Sequence, residues 1–142
     1  MYITELNKSI NPPCRKIGIS DGERISVKLE RYSTTVPVNW KPYIVIFTEN
    51  VDKIDEEDFI DFISNGNRIG RKELSERQSA DEIKKLVAQY LDDAEKFIKI
   101  KSIWCGGKHY SVVGFKQIAK KKSYAQIGLG PHRKFIVSER HD

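Results

Sequence analysis

The sequence predicts an α+β fold: a mostly antiparallel sheet, built from an N-terminal hairpin, a central strand and a C-terminal meander, with two helices packed on one face. Three observations predict it. Apolar residues alternate with period two near both ends of the chain, they recur at helical spacing only through its middle, and glycines, prolines and a lysine run punctuate the alternating stretches. A chain of 142 residues suits a single globular domain, 1–142, which buries roughly two-thirds of the surface its unfolded form exposes.

The first element is a hairpin within Arg15 to Ser33, turning at Asp21-Gly22. A two-residue turn there pairs Ile19 with Arg24 and puts Ile17 and Ile19 on the face opposite Ile25, Val27 and Leu29. A three-residue loop, Ser20-Asp21-Gly22 with Gly22 left-handed, pairs Ile17 with Ile25 and aligns the apolar sets, so it is preferred. Pro37 and Pro42 then break the pattern, and the β-branched run from Tyr43 to Thr48 reads as a buried central strand.

Residues 52–64 have acids crowding the first turn, where the helix dipole favours them, with Phe59, Phe62 and Ile63 on one side and Asn65-Gly66 as a stop; this is a short helix. Asn65 to Gln78 is a polar connecting loop. Ser79 and Glu82 make a capping box, after which Ile83, Leu86, Val87, Tyr90, Leu91, Ala94, Phe97 and Ile98 keep helical spacing. From Lys101 the period returns to two. Four strands, "KSIWC", "HYSVVGFKQI", "SYAQIGL" and "RKFIVSE", are separated by Gly106-Gly107, Lys120 to Lys122 and Gly130-Pro131.

Net charge is +5, but it divides unevenly along the chain: +3 over residues 1–48, −7 over 49–95 and +9 over 96–142. A positive last third beside a negative middle third suits either mutual neutralisation or a basic element facing a polyanion. No apolar run approaches the roughly 20 residues that cross a bilayer, and the start of the chain has no hydrophobic signal segment, so the expected setting is cytoplasmic, away from membranes. Cys14 and Cys105 lie far apart and in no CxxC pair, which predicts two reduced thiols.

Familiar chemistries find little support. Gly128 and Gly130 lead into Pro131 and a strand, whereas a phosphate-binding glycine loop needs a helix directly after it. Cys105 and His109 in "WCGGKHY", with His132 and His141 downstream, match no zinc spacing, so no metal or cofactor is expected. Glu82 and Lys84 resemble a nuclease-type acid and lysine pair, yet capping explains Glu82 more simply.

The lysines carry the expected function, which is nucleic-acid binding, to RNA or DNA, without catalysis. Lys116, Lys120, Lys121, Lys122, Arg133 and Lys134 neutralise phosphates from flexible turns, Tyr124 stacks on a base, and Lys108 and His109 are neighbours. Interleaved Tyr110, Phe115 and Phe135 serve either as core or as further platforms. The alternative is a protein-interaction or inhibitor protein of the kind encoded by a phage or mobile element. There the acidic helix 52–64, through Asp55, Glu56, Glu57, Asp58 and Asp61, imitates a phosphate array for a basic partner.

Overall fold

Short alternating segments put side chains on both faces of the sheet, and the two faces are covered unequally. The computed structural model describes residues 1–35 and 39–121, with side chains for 1–31 and 39–121. Strands β1 (Tyr2–Thr4), β2 (Cys14–Gly18), β3 (Pro42–Thr48), β4 (Leu74–Glu76), β5 (Ile100–Cys105) and β6 (Lys108–Tyr110) form one six-stranded sheet. Its order is β4-β2-β1-β3-β5-β6, and every neighbouring pair is antiparallel. Four helices accompany it among the described residues: α1 (Ile25–Thr35), α2 (Glu56–Ser64), α3 (Ala80–Ala94) and α4 (Val112–Lys120). The architecture is therefore α+β, as the sequence predicts.

One face carries the main core. Ile3, Ile17, Ile44, Ile46 and Ile103 project there against Phe59, Ile60 and Ile63 of α2, Ile83, Val87 and Leu91 of α3, and Phe115 and Ala119 of α4, all buried. The residues between them in sequence, Tyr2, Cys14 and Val45, point the other way and pack with Leu29 of α1, Trp40 and Leu74. Three helices thus cover one face and α1 lies on the other, in place of two helices on a single face.

The expected N-terminal hairpin is corrected after its turn. Ile17 pairs with Ile3, not Ile25, and the residues beyond Gly22 form α1. Five residues of alternation fit two periods: Ile25 and Leu29 are four apart, one helical turn, and Val27 between them is exposed. Gly22 is left-handed (φ 78), but its turn leads into a helix. The expected meander holds for its first strand and only for the start of its second: of residues 109–118, expected as strand, only His109 and Tyr110 are strand, in β6. Strands β5 and β6 meet at Gly106-Gly107, whose φ values of 57 and 92 suit a two-residue hairpin turn that side chains would strain.

Beyond β6 the meander gives way to α4. Ser111 caps it by accepting from the Gly114 amide at 3.0 Å, and Val112, Phe115 and Ala119 present a helical stripe that the alternating reading missed. Residues 122–142, including the last two expected strands, lie outside the described residues.

Both predicted central helices are present. Asp55 caps α2 by accepting from Asp58 (3.2 Å), and Asn65 ends it in a left-handed conformation with φ 48. Ser79 caps α3 through the Glu82 amide at 3.1 Å. The stripe stops short of its expected end: the helix closes at Ala94, leaving Ile98 buried but Phe97 exposed.

The connection from Asn65 to Gln78 is more ordered than its polarity predicts, since it contains β4. Two of its polar residues, Ser75 and Gln78, are buried and paired. The Gln78 side chain donates to the Ile63 carbonyl at 2.8 Å and accepts from the Ser75 hydroxyl, while the Gln78 carbonyl accepts from Arg15 Nε at 3.1 Å.

Candidate functional site

Among the described residues, the lysines singled out in the sequence fall on two elements, α4 and the edge strand β6. Lys116 sits within α4 and is held by Asp92 (2.6 Å) and Glu95 (2.7 Å) of the α3 region. These two carboxylates, Asp92 foremost, raise its pKa, so the cation ties helices together. Lys120 ends α4 and Lys121 follows as its C-cap, on the helical side of the molecule. Lys108 and His109 are exposed on the edge strand β6. Lys122, Tyr124, Arg133 and Lys134 lie outside the described residues.

The acidic helix is largely engaged within the protein. Asp55 caps α2, Glu56 accepts from the Ile19 amide at 2.9 Å, and Arg68 bridges Glu57 (3.0 Å) and Asp61 (2.8 Å). Glu57 first and then Asp61 raise the Arg68 pKa, and the same guanidinium also donates to the carbonyls of Lys72 and Arg71. Four of the five carboxylates therefore have internal partners.

The "WCGGKHY" segment is divided by the sheet. Cys105 is opposite Lys108 and belongs to the core beneath the helices, whereas His109 is opposite Trp104, whose side chain joins the cluster on the other face. The thiol and the imidazole do not meet. Burial raises the pKa of both cysteines, which keeps them protonated. Among the described residues no group of three or more His, Cys, Asp or Glu is placed to hold a metal ion.

What the sheet does assemble is an aromatic surface on the face away from α2, α3 and α4. Phe47 of β3 is opposite Ser102, Val45 is opposite Trp104 across β5, and His109 of β6 follows Trp104. The Phe47 and His109 rings lie 6.1 Å apart, spanning β5. Phe47 remains 41% exposed, a large unpaired apolar area for a sheet residue. Neither Phe47 nor Trp104 stands out in the sequence as a site residue: "YIVIFT" is nearly continuous in apolar character, and only strand pairing shows which members face away from the core.

Beside this surface the turn into α1 stands over the sheet and borders an open cavity of about 510 Å³. Val45, Phe47, Thr48 and Val51 line its inner side, the segment from Ser20 to Ser26 forms a wall, and Lys101 reaches it from β5. The wall is braced internally. Arg31 binds both carboxylate oxygens of Glu23 (2.5 and 2.9 Å), Ser20 bonds the Glu23 carbonyl, and Lys28 bonds the Ile19 carbonyl. Arg24 and Lys101, both exposed, are cations of the cavity lining.

Comparison with protein-family models, with curated proteins and with solved structures yields no match. No helix among the described residues is long and apolar enough to cross a membrane.

Proposed function

We propose that the protein binds single-stranded nucleic acid, RNA or DNA, on the sheet face formed by β3, β5 and β6, and that it does so without catalysis. The observation that carries this reading is the set of Phe47, Trp104 and His109 on three adjacent strands, facing away from the helical layer. Unpaired bases expose flat π faces, and aromatic side chains on a sheet stack on them with little sequence preference, each stack contributing about 1–3 kcal/mol. Duplexes hide those faces, so a single strand fits this surface better. Arg24 and Lys101, which line the adjoining cavity, supply cations for the phosphates.

The alternative, a protein partner docking on α2, is less supported because most of its carboxylates serve capping and ion pairing. Charge reversal at Asp58 is the substitution that would address it with least damage to the fold.

The test is fluorescence anisotropy with mixed-sequence RNA and DNA strands of about a dozen nucleotides, at about 50 and about 200 mM salt. Trp104→Ala and His109→Ala are each expected to weaken binding by roughly 5- to 100-fold, as loss of one stack implies, with the circular dichroism unchanged. Binding as tight to a duplex as to a single strand, or no binding at low salt, would overturn the reading.

A further inference from the structure

We infer that the cavity between the Ser20–Ser26 segment and the end of β3 is a nucleotide pocket, in which one base of the bound strand lies against Phe47 while its phosphate meets Arg24 and Lys101. The inference rests on the single-strand reading above and adds where a base leaves the sheet face and enters a cavity.

Size is the first reason. About 510 Å³ falls within the roughly 300–1,000 Å³ of small-molecule sites and exceeds what a lone apolar side chain would fill. Chemistry is the second. Thr48 lines this cavity, and its hydroxyl oxygen, buried just beneath the surface, has no hydrogen-bond partner among the described residues. A buried hydroxyl without a partner is costly, and rotation of Thr48 toward the cavity would bring it to the edge of a base, which offers both donors and acceptors. Phe47 lines the same cavity and presents an exposed ring to a base.

Charge is the third. Glu23 is neutralised by Arg31, so that carboxylate does not repel an entering phosphate. Asp21, also in the lining, is an acceptor suited to the exocyclic amine of a base. Arg24 and Lys101 reach the cavity from different elements, the α1 entry and β5, and both are available to a phosphate left outside.

The experiment uses the full chain in two measurements. In the first, AMP is titrated into labelled protein and followed by amide chemical shifts. In the second, the RNA strand is bound to wild type, Ser26→Trp, which fills the cavity from its exposed wall, and Thr48→Val, which keeps the volume but removes the hydroxyl. Expected are AMP-induced shifts concentrated at Gly22, Ser26, Phe47 and Thr48. Strand binding should fall about tenfold or more in Ser26→Trp, the worth of one stacking base, and by a smaller factor in Thr48→Val.

Strand binding that is equal in wild type and Thr48→Val, with AMP shifts absent from the cavity, would overturn the pocket while leaving the sheet surface intact. No strand binding by wild type would overturn both. Should Ser26→Trp fail to fold, Thr48→Val and the wild-type titration decide the matter.

Discussion

Tyr43 and Tyr90 are held with their phenol protons well into the alkaline range, each near pKa 12, and in both burial is the main cause. Tyr43 lies between the Cys105 thiol and the Arg15 guanidinium, whose carbon sits 5.5 Å from the ring centre. Tyr90 packs edge-on against Phe59 (5.1 Å) and Phe62 (5.5 Å) near the acids of α2. A raised phenol pKa means that between about pH 10 and 12 the folded state keeps protons the unfolded chain has lost, so stability falls as pH rises through that window. Absorbance at the phenolate band should therefore show Tyr43 and Tyr90 titrating about two units above the ordinary range. Tyr43→Phe and Tyr90→Phe should each remove one late step and shift alkaline unfolding upward. Two normal titrations would contradict the packing described for these rings.

At the scale of elements, Gln78 joins the end of α2, the short strand β4 and the start of α3. Its side chain bonds the Ile63 carbonyl and the Ser75 hydroxyl while its carbonyl receives Arg15, itself only 4% exposed and also donating to the Thr4 carbonyl at 3.0 Å. Replacing Gln78 with alanine leaves a buried carbonyl and a buried hydroxyl without that partner. A loss of about 2–4 kcal/mol in a denaturant titration is expected, since each such group costs about 1–3 kcal/mol. A loss below about 0.5 kcal/mol, as at an ordinary surface position, would mean that the junction does not depend on this side chain. The sequence concealed this role because polar residues in a run such as "NGNRIGRKELSERQ" look alike whether solvated or buried.

For the whole molecule, the charge asymmetry between thirds of the chain is partly a packing device. Lys116 from the basic last third binds Asp92 and Glu95 of the acidic middle third, and Lys99 binds Glu49 at 3.5 Å. Among the described residues, the cations left for a polyanion are consequently fewer than the composition implies, and they are divided between two layers. On the proposed surface, Lys101→Glu together with Arg24→Glu should lower single-strand affinity at least about tenfold and flatten its salt dependence by about 1.4 units of slope. Reversing Lys120 and Lys121, on the helical side, should change affinity by less than about threefold, because exposed charges beyond about 10 Å are screened at moderate salt. The opposite ranking would place the strand on the helical layer and remove the case for the aromatic face.

The sequence by itself determined the class of fold, the central strand, the two capped helices and the glycine turn between β5 and β6, because these depend on local signals: side-chain period, cap residues and backbone freedom. Only the tertiary structure decided the rest. Five residues around Ile25 satisfy strand and helix periods equally, and α4 differs from a strand chiefly in where Phe115 finds apolar neighbours. Whether Lys116 is a ligand contact or an internal tie depends on acids more than 20 residues away. The same holds for Phe47, Trp104 and His109, which become one surface through strand pairing that brings distant segments of chain together, and no local pattern records that pairing.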